Sequence, residues 1–419
     1  SYRTAFFAYL FARRHGGKFI LRIEDTDKER SEVQYTEEIL RVFEKIGITY
    51  DEKYIQSEHV GRHKELLQKL IAEDKAYISK EESKDGSGVI KDIVRFRNPK
   101  KVVTFNDLIR GPISTDTTDL GDFVLAKNID EPLFHLAVVI DDHDEGVTHV
   151  IRAEEHIANT PRQILIHEAL GFEIPEYAHL PLVLAPDKTK MSKRKGAIPV
   201  VEYLEMGYLP EALLNAICLC GWNPGTTQEI FSKSELEQIF DLDKVQKSGA
   251  VFGEDKLNWI NREYMKKMSQ KEFWDVAHHG LFGSIISDTE EHREILKKIE
   301  PLIRDRMVKF SDMQLFFGRA DGSTVGEFHY FFIEPEVDEK MLVWKDSTLV
   351  EAKVYLKEVH TRLEALEEKN WNYDGIKGAV WDYAEKEGRG AVLWPFRVSL
   401  SGREKSPAPF ELASILGKE

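Results

Sequence analysis

The chain has 419 residues, a hydrophobic fraction of 42%, and 58 basic against 73 acidic side chains for a net charge of −15. This length supports two or three domains with substantial cores, the composition excludes a disordered chain, and no apolar run approaches the roughly 18 residues of a membrane span. The acidic balance argues against indiscriminate nucleic-acid binding, although a basic track on one face can coexist with an acidic body.

Residues 1–15 read as a helix, because Tyr2, Ala5, Phe6, Tyr9 and Leu10 keep helical spacing before Gly16-Gly17 stops it. Lys18 to Ile23 then reads as a strand, so the pair forms the later part of a βαβ unit. In a nucleotide-binding α/β fold the preceding strand, and the turn that holds phosphate at the helix N-terminus, would lie ahead of Ser1. Glu24-Asp25-Thr26-Asp27 follows the strand's carboxyl end, where open α/β sheets bind ligands. It also suits a cap for the next helix, with Thr26 or Asp27 as N-cap. That helix spans Ser31 to Ile46, and another spans Gly61 to Ala72.

Lys80 to Gly88 is polar and glycine-bearing, hence a loop, and Val89 to Leu125 alternates in the manner of strands. Arg95, Arg97, Lys100, Lys101 and Arg110 punctuate this region, either as phosphate contacts or as solvated charge. The apolar run from Leu133 to His143 reads as a strand or a helix buried on both sides. Val147 to Ile151 reads as a strand with Arg152 at its carboxyl end, a ligand-facing position whose planar guanidinium suits a carboxylate. His135, His143, His149 and His156 match no metal-ligand spacing, so no metal site and no protein-bound zinc are expected. Asn159-Thr160-Pro161-Arg162-Gln163 reads as a helix start, with a capping side chain and proline at N1, and the helix ends at Gly171. His179 to Val183 reads as the last parallel strand.

That strand leads into Asp187-Lys188-Thr189-Lys190-Met191-Ser192-Lys193-Arg194-Lys195-Gly196, where five of ten residues are cationic. Bounded by Pro186 and Gly196, the run is either a solvated basic loop or a loop that places ammonium and N–H groups on a polyphosphate. Beyond it, Tyr203–Gly207, Pro210–Gly221, Lys233–Phe240 and Phe252–Asn261 are expected to be helical, with charged-faced helices onward from Met265. Glu327 to Ile333 is an aromatic run that suits a core better than a base-stacking platform. Cys218 and Cys220, one residue apart, suit core thiols rather than a disulfide, in keeping with a reducing, cytoplasmic setting.

Several of these stretches together carry a family likeness. Ser1 to Phe7, His15 to Asp27, Tyr54 to Glu58, the Arg152 segment and Lys190-Met191-Ser192-Lys193-Arg194 resemble glutamyl-tRNA synthetase, a class I aminoacyl-tRNA synthetase. The last pentapeptide is similar to the KMSKS-type loop. Ser1 would hold the fourth position of the HIGH signature, whose start is expected ahead of it. The likeness covers nearly the whole chain in the right order.

The resemblance implies an α/β fold. A Rossmann-like parallel-sheet catalytic domain (1–76 and 132–200) would hold an inserted acceptor-arm domain (77–131). A stem-contact helical domain (201–264) and an all-α anticodon-binding domain (265–419) would follow. It implies ATP with Mg²⁺ as cofactors, L-glutamate and tRNA(Glu) as partners, no membrane and a monomer. Lys190 and Lys193 would be catalytic. ATP would meet Val183, Lys190, Met191, Ser192, Lys193 and Arg194, with backbone groups around Leu182 and Val183 facing adenine. Glutamate would meet Glu24, Phe134 and Arg152, although Phe134 departs from the family's usual tyrosine and removes one hydrogen bond. Transfer RNA would meet Arg110, Arg304, Arg306 and Arg397. Three alternatives carry the same core or part of it: glutaminyl-tRNA synthetase, whose C-terminus holds β-barrels, the short tRNA-modifying paralogue, and a non-catalytic tRNA-binding protein.

Overall fold

The structure is a computed structural model that describes residues 2–26, 33–82, 89–191, 198–281, 289–318 and 324–418, and it separates into two units, Ser1–Asn261 and Arg262–Glu419. In the first unit, helix α1 (Tyr2–Arg14) buries Phe6, Phe7, Tyr9 and Leu10 along one face. Each such side chain contributes about 1.5–3 kcal/mol on leaving water. Gly16 ends the helix with φ +66°, a left-handed conformation that glycine adopts freely. Strand β1 (Ile20–Ile23), helix α2 (Val33–Lys45) and strand β2 (Glu52–Ile55) follow, and β1 pairs with β2 in parallel.

Helix α3 (Val60–Ala72) leads into strands β3 (Ala76–Glu82), β4 (Ile90–Phe96), β5 (Val102–Asp107), β6 (Gly111–Asp116), β7 (Val124–Asn128) and β8 (Glu131–Pro132). The loop expected from Lys80 is therefore strand as far as Glu82, and residues 83–88 lie outside the described residues. Its Lys and Glu side chains mark a sheet edge, where charge discourages further pairing. The stretch 77–131, expected as one inserted module, divides its strands between two sheets. Strands β3, β4, β7 and β8 form an antiparallel sheet. The β5–β6 hairpin instead joins the sheet of strands β9 (His149–Ala153) and β10 (Glu176–Leu180), in the order β6-β5-β10-β9. The cause is packing, since Val103 and Phe105 of β5 share a core with Leu136, Ile164 and Tyr177.

Between β8 and β9 runs α4 (Phe134–Asp144), so the ambiguous apolar run is a helix. It is buried from Leu136 to Asp142, which leaves no polar stripe to reveal a helical period. Helix α5 (Thr160–Leu170) connects β9 to β10 and ends at Gly171 with φ +75°. Asn159 does not cap it: this residue is already helical, and its side chain turns to His156 Nδ1 at 3.3 Å. The expected last strand is broken in two at Pro181, which has no N–H to donate. Strand β10 stops at Leu180, and β11 (Val183–Leu184) pairs in parallel with β12 (Ala250–Val251). Helices α6 (Val200–Glu205), α7 (Pro210–Leu219) and α8 (Lys233–Ile239) cover the α1 face, where Phe7 meets Phe240 edge-on at 5.0 Å. Cys218 and Cys220 are free, buried thiols. Helix α9 (Glu254–Lys267) carries the chain into the second unit.

The second unit contains α10 (Gln270–Leu281), α11 (Glu290–Arg306), α12 (Met313–Phe317), α13 (Leu349–Glu364), α14 (Tyr373–Glu387), α15 (Arg389–Ser401) and α16 (Pro409–Leu416), and among the described residues it has no strand. Val359, Ile376, Val380, Val392, Phe396 and Phe410 of the last four helices form one core. The aromatic run proves to be core as well, with Phe328, Tyr330 and Phe331 buried and Phe316 stacked on Phe328 at 5.2 Å. No helix among the described residues is long and apolar enough to cross a membrane.

Candidate active site

The carboxyl ends of β1, β9 and β10 carry the polar side chains that the fold cannot bury unpaired. Arg22, the third residue of β1, is the first. Its guanidinium lies 2.9 Å from Asp142, 2.7 Å from Glu145, 3.6 Å from Glu24 and 4.0 Å from Asp141. Asp141 is further held by Gln56 Nε2 at 2.8 Å and His63 Nε2 at 2.6 Å. Burial alone would raise its pKa, but these hydrogen bonds prevail and keep it below the usual carboxylate range. Glu145 lacks such help. Burial pushes it up to about 7 despite the Arg22 contact, and its Oε1 has no partner among the described residues.

A raised folded pKa means that folded Glu145 holds a proton that the unfolded chain releases. The associated stability is complete below the unfolded value of 4.5 and is lost as pH rises through about 7. Glu145→Gln should therefore melt higher than the parent at pH 8, by on the order of 2 kcal/mol, with the difference shrinking toward pH 5. Thermal melts of both proteins across that range check the slope, and parallel curves would contradict it.

Residues 24–26 are tied down by their neighbours. Asp25 accepts the Ser57 N–H at 2.8 Å and its hydroxyl at 2.6 Å, and Thr26 donates to Gln56 Oε1 at 3.0 Å. Asp25 thus ties the strand end to the 3₁₀ turn Gln56–His59, whereas Asp27 and the residues leading into the next helix, the expected place of the cap, lie outside the described residues. Glu24 is the member left half-exposed, with its side chain 41% accessible.

Arg152, on β9, sits over the Tyr177 ring at 5.2 Å. Its Nε donates to His179 Nε2 at 3.1 Å and its Nη2 to Thr160 Oγ1 at 2.8 Å. Burial lowers its pKa, while Asp142, Asp107 and Glu24 are near enough to oppose the shift. Arg152 and Glu24 therefore share one electrostatic site, a proximity that their spacing of 128 positions does not reveal. The anchored Nε edge leaves Nη1 for a ligand, since no hydrogen bond from Nη1 occurs among the described residues. Phe134 lines the same region, with its ring 5.8 Å from that of His156. His135 beside it is pushed down to about 4 by burial and by Arg162 and Arg152, so it is neutral. Among the described residues no group of three or more His, Cys, Asp or Glu side chains is arranged to hold a metal ion.

The basic run begins as a tight hairpin. Met191 N–H donates to Val183 O at 3.0 Å and Ala185 N–H to Thr189 O at 2.9 Å, with Lys188 at φ +63° in the turn. On the other side, Ala250 N–H donates to Leu182 O at 2.9 Å and Phe252 N–H to Leu184 O at 3.1 Å. Gly249 permits this approach, because a Cβ there would stand 2.6 Å from Leu184 Cδ1. Arg3 of α1, buried, donates to Cys220 O at 3.2 Å and to Pro181 O, which fastens the hairpin's root to the first helix. Lys190 forms an ion pair with Glu155, on the segment after β9. Ser192, Lys193 and Arg194 lie outside the described residues.

The arginines expected at tRNA differ in how they are held. Arg110 turns inward, to Glu154 and to His179 O at 3.3 Å. Arg304 is engaged within the second unit by Glu300 and by Met265 O at 2.8 Å, and covers the Phe273 ring at 4.6 Å. Both are held within the fold, Arg110 by a half-buried carboxylate and a backbone carbonyl and Arg304 by the buried Glu300 and Met265 O. Arg306 pairs at the surface with Glu327, and Arg397 lies on the Trp394 ring at 4.5 Å.

Comparison with known proteins agrees with this geometry. Residues 1–86 and 78–259 match the model of the tRNA synthetases class I (E and Q) catalytic domain, and residues 265–419 match an anticodon binding domain. A glutamate–tRNA ligase of Carboxydothermus hydrogenoformans is 37% identical over 99% of this chain and 93% of its own. One of Aquifex aeolicus is 38% identical over 100% of this chain and 93% of its own. The crystal structure of a glutamate tRNA ligase from Elizabethkingia meningosepticum, in complex with its amino acid, superposes with a TM-score of 0.86 at 30% identity, covering 100% of this chain and 93% of that one. The chain belongs to the glutamate–tRNA ligase family of the class I tRNA synthetases.

Proposed function

We propose that the protein joins L-glutamate to the 3′ end of tRNA(Glu) through a glutamyl-adenylate. The observation that carries this reading is the electrostatic site that Arg152 and Glu24 share. A fixed guanidinium can take the side-chain carboxylate of glutamate, and a half-exposed carboxylate can take its α-ammonium. The α-carboxylate then attacks the α-phosphorus of ATP, and pyrophosphate departs. A terminal ribose hydroxyl of tRNA next attacks the mixed anhydride, and AMP leaves. The protein's part is positioning and charge stabilisation. ATP enters as its magnesium complex, so the metal belongs to the substrate.

Lys190 and Lys193 stabilise the charge that grows on pyrophosphate, and backbone groups near Val183 face adenine. Phe134 supplies an apolar wall. Contact with tRNA is assigned to Arg306 and Arg397, whose guanidiniums are less deeply committed than those of Arg110 and Arg304. The catalytic divisions 1–76 and 132–200, and action as a single cytoplasmic chain, belong to the same proposal.

ATP–pyrophosphate exchange with glutamate and with glutamine, each with and without tRNA, tests the reading. Exchange should require glutamate. Arg152→Ala should raise the glutamate KM by about 30–100-fold, the loss of a charge-assisted contact of about 2–3 kcal/mol, and leave the ATP KM near the parent's. Exchange driven equally by glutamine would contradict the assignment of substrate.

A further inference from the structure

We infer that His179, locked in one tautomer by Asp107, is the positioning residue that aims Arg152 at the substrate carboxylate. The inference rests on the proposed role of Arg152 and adds residues that this role does not itself require.

The argument begins with Asp107, at the end of β5 and buried. Its Oδ1 accepts the N–H groups of Ile109 at 3.0 Å and Arg110 at 2.9 Å, which fixes the carboxylate plane. Its Oδ2 accepts the His179 backbone N–H at 3.0 Å and lies 2.6 Å from His179 Nδ1. An ionised carboxylate only accepts, so Nδ1 must carry the proton. Asp107 is ionised: burial would raise its pKa, but the contact with His179 and the two N–H groups bring it below the usual range.

With the proton on Nδ1, Nε2 of the neutral ring presents a lone pair. Burial holds His179 neutral by pushing its pKa below the ordinary histidine value against the pull of Asp107. That lone pair meets Arg152 Nε–H at 3.1 Å. Guanidinium nitrogens only donate, so the contact exists in this tautomer alone. The other tautomer would set Nε2–H against the Arg152 Nε–H and leave Thr160 Oγ1, at 3.2 Å, as its acceptor, so the guanidinium edge would lose its anchor. His179 is fully buried, and its ring lies parallel to Tyr177, on which Arg152 also rests. The relay therefore runs from a strand end, through a ring with no freedom to turn, to the edge of the guanidinium opposite its free Nη1. A fixed Nη1 direction matters because a carboxylate contact weakens with misaim.

Nitrogen-15 NMR of the histidine-labelled full chain reads the tautomer directly. His179 should show a protonated Nδ1 and an unprotonated Nε2. Asp107→Asn, whose amide turns its NH₂ toward Nδ1, should reverse that pattern and raise the glutamate KM about 10-fold, with the ATP KM unchanged. His179→Gln, whose amide oxygen can replace the Nε2 acceptor, should restore a glutamate KM within about three-fold of the parent. The inference is overturned by a protonated Nε2 in the parent protein. It is also overturned if Asp107→Asn reverses the tautomer and leaves the glutamate KM unchanged, or if it raises the glutamate and ATP KM values equally. An unchanged glutamate KM in Arg152→Ala would remove the underlying reading, whereas an effective Arg152→Ala beside a silent Asp107→Asn removes this inference alone.

Discussion

Lys193→Ala is expected to slow glutamate-dependent ATP–pyrophosphate exchange by about 10²–10³-fold while leaving tRNA binding almost unchanged. The physical reason is differential stabilisation. Phosphoryl chemistry asks the protein for little beyond charge and placement, and the charge on departing pyrophosphate exceeds that in the ground state. The side chain of Lys193 lies outside the described residues, but the chain that delivers it does not. The hairpin from Val183 to Met191 is pinned on one side to β12 and at its root by Arg3. Two residues beyond Met191, an ammonium at position 193 has a defined point of departure. Exchange kinetics and tRNA filter binding on the same preparation provide the check. Equal loss of both activities would show that the lysine serves RNA affinity instead.

Arg22→Met should destabilise the first unit by about 3–5 kcal/mol at pH 7.5, the largest structural effect expected of any single change in the site. The methionine fills the space and removes the charge. Asp142 and Glu145, whose side chains are 10% and 3% accessible, are then left without a counter-ion. Both can respond by taking up a proton, and burial already raises the pKa of each. The loss should therefore be smaller at pH 5.5 than at pH 7.5. Hydrogen exchange of the α4 amides in urea measures it at both values. A deficit under about 1 kcal/mol at pH 7.5 would mean that the cluster is solvated rather than buried.

Which features could be read from the chain, and which not, follows from how far each depends on distant residues. The α1 helix was legible because its apolar face is one-sided and Gly16 marks its end. Arg152 could be placed at a strand's carboxyl end by the same local means, and β9 ends one residue later. Helix α4 was not decidable, since burial all round erases the period that separates helix from strand. The assignment of β5 and β6 to the parallel sheet was likewise hidden, because it rests on a pairing of Asp107 with Tyr177 across the intervening modules. Arg22, central to the site, looked like an ordinary strand residue. Its partners lie on α4, and nothing in the local sequence indicates that the two meet. His179 and Asp107 share that fate, being 72 positions apart. The pentapeptide from Lys190 to Arg194 stood out by residue order, while the hairpin beneath it depends on β12.

If Lys190 has the role proposed for it, its ion pair with Glu155 occupies in advance the place of a substrate contact. Both side chains are about half in water, 56% and 49% accessible, so their attraction amounts to only a few tenths of a kcal/mol. That is below thermal energy, so the pair only biases the ammonium toward this position and does not retain it. On the proposed role of Lys190, the carboxylate would act as a stand-in anion, surrendered on arrival of the triphosphate. Ionic strength weakens the old partnership and the new one together, so the handover itself should be less sensitive to salt than either contact alone.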